Sequence, residues 1–85
     1  MDIEIKPDAL KYLNSLPEKD RRLIKMHLYQ LENPLNAKDV EHIRDGVFRM
    51  HIPHKYTAFF VIFKDCVRVV DVTTIEQAHK RYKGL

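Results

Sequence analysis

Cysteine is almost missing from this chain: Cys66 stands alone. A single thiol excludes an internal disulfide framework and fits a reducing compartment. Cys66 itself reads as a small strand residue rather than a nucleophile. Glycine is nearly as scarce, and Gly46 and Gly84 cannot make a glycine-rich phosphate loop. No run approaches the ~18 apolar residues of a membrane span. The opening MDIEIKPD alternates in polarity and carries acids, unlike a signal peptide. Ser/His/Asp groupings, Cys/His pairs, repeats and low-complexity tracts are also lacking. These absences point to a cytoplasmic chain with no membrane partner, and 85 residues suffice for one modest core.

Charge is present, and unevenly spread. Residues 1–42 hold seven Lys/Arg against eight Asp/Glu, whereas residues 43–85 hold eight against four, with three of the five histidines. A basic half joined to a near-neutral half suggests a localised anionic partner such as nucleic acid.

Hydrophobic periodicity divides the chain in the same place. Ile3 and Ile5 alternate with Asp2, Glu4 and Lys6, a short strand that Pro7 stops. Asp8 is placed to N-cap a short helix whose stripe is Leu10, Leu13 and Leu16. Leu16-Pro17 breaks it and restarts another, with Glu18 and Asp20 near the positive end of the helix dipole. Leu23, Ile24, His27, Leu28 and Leu31 mark its buried stripe, and Asn33-Pro34 ends it. Residues 34–42 read as a loop or weak extended segment. From Arg44 the period is two. Asp45-Gly46 is a turn, Val47–Ile52 alternates, Tyr56–Phe63 is apolar on both faces, and Cys66–Val72 is rich in β-branched residues. Thr73-Thr74-Ile75-Glu76 is a capping-box pattern that starts a short helix ended by Gly84. The expected fold is α+β: an N-terminal strand, a two-helix hairpin, a mostly antiparallel meander with Tyr56–Phe63 interior, and a helical tail, all in one domain over residues 1–85.

The residues able to do chemistry gather in the second half. Arg49 and His51, two apart, share one face of a strand. His54 and Lys55 follow at a turn, and the tail offers His79, Arg81 and Tyr82 beside Lys80 and Lys83. Cleavage of RNA by its own 2′-hydroxyl needs a base, cations on the crowded phosphate, and an acid for the leaving oxygen. Histidine titrates in the useful range, arginine matches phosphate oxygens, and a tyrosine can stack on a base or donate its proton. His51 and His54 form an HxxH pair, but a strand-to-turn pair lacks helical metal-ligand geometry and no Cys or acid cluster accompanies it. Neither metal nor cofactor is expected. His27 reads as a satisfied core or edge histidine, and His42 as solvated.

In order of elements, and in the segments SLP, GVFRMHI, YTAFFVIF, CVRVVDV and IEQAHKRY, the chain resembles the RelE/ParE superfamily of type II toxin–antitoxin systems. The closing AHKRY looks most like small archaeal-type members. The resemblance implies an acidic antitoxin wrapped around the sheet as a hetero-oligomer. It also implies an RNase that cuts messenger RNA on the ribosome without metal. Arg49 and His51 match the basic strand positions of the RNases, Tyr82 matches their C-terminal catalytic tyrosine, and His79 and Arg81 lie in the segment supplying its companions. The catalytic set implied is therefore Arg49, His51, His79, Arg81 and Tyr82, with His54, Lys55, Lys80 and Lys83 on the RNA. One departure stands out. Many RNase members open the central strand Gly-Tyr-Arg, and here it opens Tyr56-Thr57-Ala58. Two alternatives follow: a ParE-like gyrase-binding toxin with no chemistry of its own, or an inactive relative that only binds an antitoxin.

Overall fold

The computed structural model describes residues 1–53 and 55–81. The elements run β1 (Asp2–Ile5), α1 (Pro7–Asn14), α2 (Glu18–Leu28), β2 (Val40–Arg44), β3 (Val47–Ile52), β4 (Tyr56–Phe63), β5 (Cys66–Thr74) and α3 (Ile75–Arg81). Two single 3-10 turns, Tyr29–Glu32 and Pro34–Asn36, join α2 to β2. The sheet order is β1-β5-β4-β3-β2. β4 is therefore the middle strand, as its two-sided apolarity requires. β2, β3, β4 and β5 pair antiparallel, and β1 lies parallel to β5 with Asp2 opposite Cys66 and Ile5 opposite Val69. The sheet is thus mixed but mostly antiparallel.

Three local expectations are corrected. Residues 34–42 are not wholly loop, because β2 begins at Val40 and forms one edge of the sheet. Asp8 is not the N-cap of α1: the helix begins at Pro7, Lys6 holds the cap position, and Asp8 lies in the first turn beside the exposed amides. The cap of α3 is Thr74, not Thr73; its Oγ1 accepts the Gln77 N–H at 3.1 Å, making Gln77 rather than Glu76 the third helical residue.

Alternation decides which face each strand side chain takes. Met50, Ile52, Tyr56, Ala58, Phe60, Val67, Val69 and Val72 turn inward, and Ala9, Leu13, Ile24, Leu28 and Leu31 close over them to form one core. Each large aliphatic side chain fully buried there contributes roughly 1.5–3 kcal/mol against exposure. His27 is satisfied locally, its Nδ1 lying 2.8 Å from the Leu23 carbonyl oxygen. Asp45 and Gly46 both have positive φ (51° and 76°), the two-residue turn that β2 and β3 need to pair with matched twist.

The other face of the sheet carries the expected site residues Arg49 and His51. Cross-strand partners share a face. The register therefore lines up Glu41, Arg49, Phe59 and Asp71 in one row across β2 to β5, with His51, Thr57 and Thr73 in the next. α3 returns against β4 and β5, and its Ala78 is buried apart from the helix-side core. Thr57, Phe59 and Thr73 are buried as well, although the helical hairpin lies on the opposite side.

Candidate functional site

The row across the outer face begins with an ion pair. Arg49 on β3 binds Glu41, its cross-strand partner on β2, through Nη2. The Arg49 side chain is only 26% exposed, and its Nε is buried with no hydrogen-bond partner among the described residues. A buried unpaired donor costs on the order of 1–3 kcal/mol, a strain that an incoming acceptor could relieve if the side chain shifted. Next along the row, Phe59 is 1% exposed and presents ring rather than charge.

The far end of the row is a second ion pair. Arg81, the last residue of α3, reaches back to Asp71 on the strand from which the helix left, with Nη1 at 3.2 and 3.1 Å from the two carboxylate oxygens. At 54% exposed, Arg81 keeps contact with solvent. α1 crosses β5 near this end. There burial pushes the Tyr12 phenol above its ordinary pKa, opposed by Arg81 and reinforced by Asp71 and Asp20. Arg68, on the outer face of β5, pairs with Glu4 of β1 at 3.4 Å. Arg49, Arg68 and Arg81 thus each have a carboxylate from a neighbouring strand or from the strand that leads into their helix.

The expected site residues that the structure describes fall into three groups. Arg49 and Arg81 sit at either side of Phe59, and His51 stands exposed on the same face one step along β3. Lys55 takes a different direction. Its Nζ lies 5.6 Å from the centre of the Tyr56 ring, and Tyr56 points to the helix side, where its hydroxyl donates to Asp20 Oδ2 at 2.7 Å. The Lys55 charge is drawn toward the α2 side, while its backbone carbonyl accepts the first amide of α3 from Ile75 at 2.8 Å. On α3, Ala78 marks the buried face. One residue on, His79 stands about 100° around the helix, and two residues on, Lys80 is on the side away from the sheet. Both are exposed. His54, Tyr82 and Lys83 lie outside the described residues.

Thr57 explains what stands where the Gly-Tyr-Arg pattern would put its arginine, directly after the tyrosine. It is 1% exposed, and its hydroxyl donates to the Met50 carbonyl at 3.2 Å. The position carries a satisfied polar residue with no charge to offer. Among the described residues, no three His, Cys, Asp or Glu side chains gather as metal ligands. No helix among them is long and apolar enough to cross a membrane.

The members of the row that sequence reasoning missed are the carboxylates Glu41 and Asp71. Alternation could have revealed Glu41 had β2 been recognised, since it is the hairpin partner of Arg49. Nothing in the spacing of Asp71 and Arg81 marks them as a pair.

No protein-family model matches the sequence, and none of the curated proteins does. Solved structures do. The chain is similar to the RelB–RelE antitoxin–toxin complex of Methanococcus jannaschii, with TM-score 0.73 and 19% identity over 93% of this chain and 98% of that one. It is similar to a mutant of the Escherichia coli toxin RelE in the free state, with TM-score 0.74 and 16% identity over 96% and 90%. A YoeB–YefM complex from Staphylococcus aureus matches with TM-score 0.68 and 16% identity over 86% and 94%. The resemblance read from the sequence is borne out at the level of fold: the chain has the fold of the RelE-like toxins.

Proposed function

We propose that this chain, built on the RelE toxin fold, is the toxin of a toxin–antitoxin pair, acting in the cytoplasm as an endonuclease on ribosome-bound messenger RNA. The observation that carries the reading is the outer row: two arginines flank a buried aromatic ring, with an exposed histidine beside them, on a sheet whose fold is that of RelE toxins. Arg49 and Arg81 hold the phosphate that becomes more crowded in the transition state. His51 or His79 moves the proton, and Tyr82 stacks on or positions a nucleotide. His54, Lys55, Lys80 and Lys83 contact the RNA backbone. An acidic antitoxin neutralises the basic half; a similar structure is that of an antitoxin–toxin complex.

Cleavage of defined messages on purified ribosomes tests this. Arg49→Ala and Arg81→Ala should each slow cleavage by about 2–3 kcal/mol of barrier, the scale for losing one preorganised electrostatic contact. Alanine at the proton-transfer histidine should cost about 10²–10⁴-fold and alter the pH dependence. Chelator should leave the chemical step unchanged. A second reading is favoured by one observation, the neutral Thr57 on the central strand: a gyrase-binding toxin that performs no cleavage. Intact message together with inhibited supercoiling by purified gyrase would select it.

A further inference from the structure

The outer face is not a bare cationic surface. Arg49 is held by Glu41 and Arg81 by Asp71, so the row that flanks Phe59 carries two positive and two negative charges. Each pairing joins a half-exposed partner to a more buried one, Glu41 at 52% to Arg49 at 26% and Arg81 at 54% to Asp71 at 19%, so in each pair one member has the solvent access needed to exchange partners. The geometry leaves room for exchange. Of the Arg81 nitrogens, Nη1 is the one that both Asp71 carboxylate oxygens meet. Glu41 engages Nη2 of Arg49, whose Nε has no partner among the described residues. A phosphate, with oxygens matched to a guanidinium fork, is the ligand that competes best for such arginines.

We propose that Glu41 and Asp71 are built-in counter-ions that hold Arg49 and Arg81 in reserve and must be displaced before the row can grip a phosphodiester. This rests on the reading of the outer face as an RNA site and adds its regulation. With its charges balanced, the row has little attraction for RNA at large, because sequence-independent binding depends on cations that are free to replace counter-ions on the strand. Phosphate takes the arginines only when the strand is already held against the sheet by other contacts, as it would be on a ribosome. Glu41 and Asp71 therefore lower affinity for free RNA while leaving the presented substrate accessible.

The test uses the full chain and a single-stranded RNA oligonucleotide of about ten residues carrying 2′-O-methyl groups, which cannot be cut by its own hydroxyl, so binding is read apart from cleavage. Glu41→Gln and Asp71→Asn keep shape and remove charge. Each should raise affinity about two- to fivefold at low salt, the double variant more. Each should also steepen the fall of log K with log salt by roughly 0.7, the increment for one newly engaged phosphate on a single strand. Glu18→Gln, which frees Arg22 on α2 on the other side of the sheet, adds the same net charge and should do neither. Glu41→Ala and Asp71→Ala should change binding in the same direction, and thermal melts confirm that each variant is folded. Unchanged or weaker binding in the Glu41 and Asp71 variants overturns the proposal, since acids that merely positioned the arginines would lower affinity when removed. An equal gain in Glu18→Gln, or no binding by any variant, overturns it too. Ribosomal message cleavage is measured separately: its absence, with the binding gain intact, removes the nuclease reading and leaves the counter-ion role standing.

Discussion

Tyr56 shows how a single residue ties the two layers together. Its ring is buried in the core and its hydroxyl donates to Asp20 on α2. Burial first, and then the hydrogen bond and charge of Asp20, push its pKa up to about 12. The folded pKa is raised above the ordinary tyrosine value of about 10, so the stabilising contribution is complete below pH ~10. It is lost as pH rises from about 10 to about 12. Urea midpoints should fall across that window by the equivalent of about 1–3 kcal/mol, and the Tyr56→Phe protein should lack that part of the fall. At pH 7 the same substitution should cost about 1–3 kcal/mol, because Asp20 loses a hydrogen bond to its charged oxygen. At this scale the site was partly legible. Arg49 and His51 could be placed on one face by counting twos. Lys55 could not be, because its direction is set by the ring of Tyr56 and not by strand alternation.

Elements were legible where one period ran without interruption. β3, β4 and β5 each carry a continuous run of two-residue alternation or apolar side chains, and their order in the sheet follows from short connections. β2 was hidden by its own irregularity. A register shift between His42 and Arg44 separates its half-buried residues, Val40 and Ile43, by three positions, so period two never shows. The parallel pairing of β1 was equally invisible, since nothing local says which edge a distant strand will join. α3 is the element most dependent on its ends: seven residues are too few for a helix to persist unaided. The Thr74 cap, the Ile75–Lys55 backbone bond and the Arg81–Asp71 pair hold it in place. Thr74→Ala should cost about 1 kcal/mol and appear as faster amide exchange confined to α3, with β4 protection unchanged.

For the molecule as a whole, the margin is narrow. A domain of this length is stabilised by only about 4–13 kcal/mol, and the core is a single layer between hairpin and sheet. Phe60, fully buried at the centre of β4, should cost about 3–5 kcal/mol when replaced by alanine. Chemical denaturation should then show a substantial unfolded fraction in buffer, and a saturating partner that binds only the folded chain should restore the transition toward higher denaturant.

The parallel seam between the first strand and the last also sets a schedule. Asp2 must wait for Cys66, so β1 leaves the synthesising ribosome long before its mate exists. At ordinary elongation rates the gap is on the order of 3–13 s. Until β5 emerges, Ile3 and Ile5 have no strand to lie beside, and Asp71 and the Arg81 it pairs with have not been made. The half-made chain therefore cannot assemble the outer row, because half of its charges arrive only with β5 and α3.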